Sequence, residues 1–175
     1  MEEVMLIRRA IQGDSDAFEQ LLIIHSDRLY RTAYLYVRNR EDALDVIQET
    51  AYKAFSSISQ LRNESFFMTW ITKILIHCAY DVIKKKRNLV ALEDDVFLQR
   101  GNPEEKLDLV EAIRKLPEKT QTSIILFYYY DMNLKEIAKT IEVPENTVKT
   151  YLSRGKKQLR KLLGGGYFDG QRNIL

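Results

Sequence analysis

The sequence predicts an all-α fold, with two small helical domains joined by an acidic linker. Three observations carry that expectation. Apolar residues recur at helical spacing along most of the 175 residues, and no alternating strand pattern competes with them. Turn formers are scarce, with 7 Gly and 3 Pro, and each proline stands where a helix is expected to begin. Charge falls in blocks. Lys84-Lys85-Lys86-Arg87 is basic, Glu93 to Glu111 holds seven carboxylates against Arg100 and Lys106, and Lys135 to Lys161 holds eight cations against three glutamates. Basic, acidic, basic is the pattern of two cationic modules with an anionic connector.

The elements follow in order. Ala17 to Val37 carries Phe18, Leu21, Leu22, Leu29, Ala33 and Val37 at helical spacing. After Arg38-Asn39-Arg40 a second helix is expected from Glu41 to Phe55, with Leu44, Ile47, Ala51 and Phe55 as its apolar stripe. Ser56 to Ser65 reads as polar and irregular. A long helix then runs from Phe66 to about Lys86, its terminal cations suiting the negative end of the helix dipole. Residues 1–87 are thus one domain and 88–101 the linker.

Asn102-Pro103-Glu104-Glu105 restarts order, with Asn102 as N-cap, Pro103 at the first helical position and Glu105 three residues past the cap. That helix is expected to reach Leu116, and Pro117 opens another through Tyr130. Asn133 and Glu136 predict a capping box for a short helix ending near Ile141. Pro144 opens the last helix, which Gly164-Gly165-Gly166 stops after Leu163. The second domain is therefore 102–163, with 164–175 a tail.

Several function classes are excluded at this level. The acidic start MEEVM does not resemble a secretory signal, and FFMTWITKILIHCAY is interrupted by Lys73 and His77, so no membrane insertion is expected. One cysteine, Cys78, forms no intrachain disulfide and fits a reducing cytoplasm. With His25 and His77 the only histidines, no catalytic triad or metal set assembles, and no glycine-rich phosphate loop is present. No catalytic residue, metal or cofactor is expected.

The segment EIAKTIEVPENTVKTYLSRGKKQL pairs a short helix with a longer basic one. Val148, Leu152, Leu159 and Leu162, with Gly155, form one stripe, while Lys149, Thr150, Ser153, Arg154 and Lys157 lie on the other side. A helix-turn-helix needs this arrangement, because its second helix lays polar and cationic side chains on base edges and phosphates. Periodicity alone leaves a second reading open, a solvated basic face on a packed hairpin. Gly155 favours close packing, since a mid-helix glycine costs about 1 kcal/mol against alanine.

Asp42, Asp45, Gln48 and Glu49 line one side of the Glu41–Phe55 helix, either as plain solvation or as a docking face for a basic partner. Phe66, Phe67 and Trp70 sit beside Lys73 and His77. Rings beside cations suit single-stranded DNA, although at least two of the three aromatics are expected in the core. Tyr128-Tyr129-Tyr130 reads as core plus surface of one helix.

Taken in order, GDSDAFEQLL, EDALDVIQETAYKAF, FFMTWITKILIHCAYDVIKKKR and the segment from Asn102 to Leu163 resemble the extracytoplasmic-function sigma factors of bacterial RNA polymerase, within the sigma-70 family. The resemblance covers about Gln12 to Leu163. It implies a promoter-melting domain, a linker running toward the RNA exit path, and a C-terminal helix-turn-helix domain. It places Asp42, Asp45, Gln48 and Glu49 on the interface with the β′ clamp helices of core polymerase, and adds the β flap as a second polymerase contact. Gln60 to Ser65 matches the loop that captures a flipped −10 base, with Leu61, Arg62 and Asn63 near the pocket. Trp70, Lys73 and His77 match the helix facing the melted strand. Lys149, Thr150, Ser153 and Arg154, with Lys157 beside them, match the −35 reading positions. An anti-sigma factor and a stress or envelope-response regulon are further implications.

The chain departs from the family in three places. Family members often carry Asn where this chain has His77, an Arg common in the C-terminal domain is replaced around Gln121, and the usual Gly before the helix-turn-helix gives way to Asp131-Met132-Asn133. Two rival readings need no polymerase. A free-standing helix-turn-helix regulator accounts for Lys149 and Arg154 and leaves DALDVIQE unexplained. A helical adaptor accounts for the acidic helix and ignores the basic one.

Overall fold

The computed structural model describes residues 2–92 and 109–164, and all regular structure among them is helical. The chain divides into two compact units, Met1–Asp95 and Val96–Leu175. The expected Asn102 cap, most of the acidic linker and the tail beyond Gly164 lie outside the described residues.

The first unit contains α1 (Glu2–Ile11), α2 (Ser15–Val37), α3 (Arg40–Ser57), two short 3-10 turns (Ile58–Gln60 and Glu64–Phe66) and α4 (Phe67–Leu92). Side-chain caps punctuate it. Asp14 accepts from the Ala17 N–H, and Asn39 accepts from the Asp42 N–H. Between α2 and α3, Arg38 turns left-handed at φ 52° and its N–H bonds the Tyr34 carbonyl. Contacts between His25 and Phe67 and between Tyr36 and Tyr80 show α2 and α4 running in the same direction. α3 runs against α4, because Asp42 meets Lys86 near one end while Thr50 bonds Cys78 farther along.

Helix α1 is absent from the expectations above. Its Leu6, Ile7 and Ala10 are buried, and Arg8 and Arg9 face outward. The buried side of α3 also differs. It consists of Ala43, Val46, Thr50 and Ala54, whereas Leu44 is 44% and Phe55 50% exposed. Small residues let α2 and α4 approach α3, and the larger apolar residues stay on the outside. Of the aromatics entering α4, only Phe67 is buried; Phe66 is exposed and Trp70 half-buried.

The end of α4 is displaced as well, since the helix continues through Leu92 rather than ending near Lys86. By length and hydropathy, Glu64–Lys86 is sufficient to cross a membrane, which the sequence reading did not allow. In this fold its apolar side, including Phe67, Ile71, Leu75, Ile76 and Ala79, is spent on the core.

The second unit contains α5 (Leu109–Arg114), α6 (Glu118–Tyr128), α7 (Leu134–Ile141) and α8 (Glu145–Leu163). α6 is its centre, buried continuously from Thr120 to Leu126. Pro117 and Pro144 stand one position earlier than expected, as caps with extended ψ rather than as first helical residues. The tyrosine run straddles the end of α6, with Tyr128 exposed and Tyr130 buried. The capping box is present: Asn133 accepts from the Glu136 N–H at 3.0 Å, and Glu136 accepts from the Asn133 N–H at 2.9 Å. Asp131 adopts φ 52°, a left-handed conformation that aspartate tolerates better than most side chains.

Candidate nucleic-acid interface

Helix α8 presents two distinct faces. Val148, Leu152, Gly155, Leu159 and Leu163 are buried, with Leu162 half-buried beside them. Lys149, Thr150, Ser153, Arg154 and Lys157 are all exposed. The turn ahead of them is set by Glu142, whose φ of 55° ends α7 and whose N–H caps the Ala138 carbonyl. Gly155 explains how α8 is seated. A Cβ there would lie 2.9 Å from Ile124 Cγ1 and 2.9 Å from Thr120 Cγ2. The bare backbone therefore packs on α6 and fixes which side of α8 faces solvent.

In the first unit Trp70, Lys73 and His77 share one side of α4, three and seven residues apart. Trp70 and Lys73 are half-buried and His77 is exposed. The Trp70 ring leans on Phe67 at a centroid distance of 6.1 Å, so its orientation is fixed by a core residue. The loop before α4 holds Leu61 half-buried and Arg62 and Asn63 exposed. Asn63 caps the second 3-10 turn, its Oδ1 accepting from the Ser65 N–H at 2.9 Å.

This loop is also tied to α1. Arg8 donates from Nε and Nη2 to one Glu64 carboxylate oxygen, at 3.0 and 2.6 Å. The Arg8 hydrogen bond holds the Glu64 carboxyl below the usual glutamate range. The sequence pattern does not join Arg8 to Glu64, because a separation of 56 residues hides the pair from any spacing rule.

The α3 stripe is divided by its contacts. Asp42 is drawn inward, with its Oδ2 2.5 Å from Lys86 Nζ and its side chain only 13% exposed. Asp45, Gln48 and Glu49 are exposed, and Glu49 pairs with Lys53 at 3.2 Å. Leu44 and Tyr52 are exposed on the same outward side as Asp45 and Gln48, so this face is apolar as well as acidic. The sequence pattern puts Leu44 in the apolar stripe of α3, and the structure turns it outward instead.

Cys78 is buried, and desolvation pushes its thiol pKa up, away from the reactive thiolate. Among the described residues no group of three metal-binding side chains converges.

The family described as Sigma-70 region 2 matches residues 21–89, and Sigma-70 region 4 matches residues 106–159. RNA polymerase sigma factor SigV of Bacillus subtilis is 39% identical over 140 residues, covering 78% of this chain and 84% of that protein. ECF RNA polymerase sigma factor SigW of the same organism is 31% identical over 176 residues, covering 90% and 94%. The fold is similar to that of the sigma factor RpoE, solved with the anti-sigma factor NepR from Bartonella quintana. The TM-score is 0.70 at 24% identity, over 83% of this chain and 96% of that one. The chain belongs to the extracytoplasmic-function sigma factors of the sigma-70 family, the subunits that direct core RNA polymerase to promoters and start transcription there.

Proposed function

We propose that the two units divide promoter recognition between them, and that the chain acts without an active site of its own. Lys149, Thr150, Ser153, Arg154 and Lys157 read the −35 duplex. Leu61, Arg62 and Asn63 receive a base extruded from the −10 element, while Trp70, Lys73 and His77 face the opened strand. The carrying observation is the outward polar–basic face of α8, held in place by Gly155. Cations neutralise phosphates there, while threonine and serine are short enough to approach base edges.

Extruding a base costs a few kcal/mol of stacking, which loop contacts have to offset. A loop pinned through Arg8 and Glu64 meets the base in a geometry already set. Two weak readers become strong when both are tethered to core polymerase. Asp45, Gln48 and Glu49, with Leu44 and Tyr52, are the face for the β′ clamp helices. Asp42 serves that face by fixing α3 on α4 through Lys86. The second unit engages the β flap.

The connector 88–101, beginning within the last turns of α4, joins the melting domain 1–87 to the reading domain 102–163. A cytoplasmic location and control by an anti-sigma factor follow from this role, the latter in line with the partner solved on RpoE. A stress or envelope-response regulon is the natural target.

The test uses holoenzyme on a duplex promoter and on the same promoter opened beforehand at −10. Trp70→Ala should slow initiation on duplex and be largely rescued on the opened template. Arg154→Ala should weaken both. Equal defects of Trp70→Ala on the two templates would overturn the assignment of α4 to melting.

A further inference from the structure

Helix α1 carries none of the base-reading side chains, yet it packs against both 3-10 turns that bracket Leu61, Arg62 and Asn63. Its Leu6, Ile7 and Ala10 are buried. Two ties that do not involve the loop hold it in place. Glu3 meets His25 of α2 at 3.0 Å, and Arg9 meets Asp14 across the hairpin turn at 2.7 Å. Helix α1 is therefore a fixed post, and Arg8 is the side chain that reaches from it to the loop.

The Arg8–Glu64 pair adds little to global stability, because its side chains are 63% and 29% exposed. Its geometry is directional nonetheless. Two donors of a rigid planar fork converge on Glu64 Oε1. Glu64 directly follows Asn63, whose Oδ1 accepts from the Ser65 N–H. A shift of Glu64 thus carries Asn63 with it.

We propose that Arg8 is a positioning residue for base capture, acting through Glu64 to hold the 61–63 loop ready for a single-stranded −10 base. This inference rests on that loop being the capture site. With the loop ordered by Arg8 beforehand, binding does not have to supply the ordering. The effect of removing Glu64 then runs against simple electrostatics. Taking a carboxylate away from a nucleic-acid site ordinarily tightens binding, because it removes repulsion from phosphates. Here its loss weakens binding, because Arg8 has nothing left to hold.

The test measures holoenzyme affinity for a single-stranded −10 oligonucleotide. Arg8→Ala and Glu64→Ala should each weaken it about 2–5-fold, the range available to an exposed ion pair. The double variant should be no weaker than either alone, because all three lack the same interaction. Arg9→Ala removes a neighbouring cation from the same helix and should leave affinity unchanged. Weakening by Arg8→Ala with Glu64→Ala neutral or tighter would make Arg8 a direct phosphate contact and overturn the proposal. Additive losses in the double variant would overturn it, as would an equal loss with Arg9→Ala. A first-unit melting temperature, read by Trp70 fluorescence, that falls in step with affinity would make the effect one of folding and overturn it too. Asn63→Ala, run alongside, separates the two levels. Weakening by Asn63→Ala with Arg8→Ala and Glu64→Ala silent removes only this extension, whereas silence of all three removes the capture loop itself.

Discussion

Replacing Gly155 with alanine sets two opposing effects against each other, and the packing of α8 decides between them. Alanine is favoured over glycine inside a helix by about 1 kcal/mol. The new Cβ, however, would sit 2.9 Å from Ile124 Cγ1, 2.9 Å from Thr120 Cγ2 and 3.1 Å from Ile124 Cδ1. Carbon atoms prefer separations of about 3.5–4.0 Å. Both neighbours are β-branched and stiff at χ1, so relief requires α6 and α8 to move apart. Overpacking of this kind costs about 1–3 kcal/mol. The balance is a net loss of about 1 kcal/mol, or roughly 4–8 °C in the melting temperature of a unit this small.

The assay follows from composition. The single tryptophan, Trp70, belongs to the first unit, so its fluorescence reports that unit while far-UV circular dichroism reports helices in both. Gly155→Ala should lower a circular-dichroism transition, leave the Trp70 transition in place and weaken −35 binding. Ser153→Ala, at an exposed position two residues earlier, should leave stability level or slightly raised. A rise in the melting temperature of the second unit with Gly155→Ala would refute the close approach of α8 to α6.

Three further outcomes are expected. In promoter binding across salt, Lys149→Ala or Arg154→Ala should reduce the slope by about 0.9 if the lost contact is a phosphate, or relax base preference by about 1–3 kcal/mol if it is a base edge; an unchanged profile for both removes them from the interface. In a core-polymerase affinity assay, Asp45→Lys or Glu49→Lys should weaken association without changing −35 duplex recognition, and full retention of affinity would return the α3 face to plain solvation. The folded-state pKa of Glu64 is depressed, so its contribution to stability is present above the usual glutamate range and lost as pH falls through the lower folded value. Glu64→Gln should therefore flatten the acid side of the first unit's stability profile, read by Trp70 fluorescence; an unaltered acid limb would show that the Arg8 pair does not persist in solution.

The features legible in the sequence are those that local physics determines. Asn133 and Glu136 announce their capping box because both partners lie within one turn. Gly155 betrays a tight helix crossing because glycine at mid-helix is costly unless something approaches it. The five exposed side chains of α8 follow from helical phase once its apolar stripe is found. Residue size is a poor guide to burial on α3. Leu44 and Phe55 are the larger apolar residues there, but a helix pressed between two neighbours buries Ala43, Val46 and Ala54 and leaves bulk outside. Long-range ion pairs were illegible for another reason. Asp42 with Lys86 and Arg8 with Glu64 join residues 44 and 56 positions apart, and only folded geometry brings them together. These pairs alter the picture of the site. One withdraws Asp42 from solvent, and the other fastens the loop before α4 to α1.

Transcription of genomic DNA fragments by purified core RNA polymerase, with and without this chain, tests the central claim most directly when the start sites are mapped. The account predicts RNA starting at a discrete set of sites that share −35 and −10 elements, only when the chain is present, and weak specific binding of duplex by the chain alone. Tight, specific duplex binding by the free chain, with no new start sites when core is added, would contradict it.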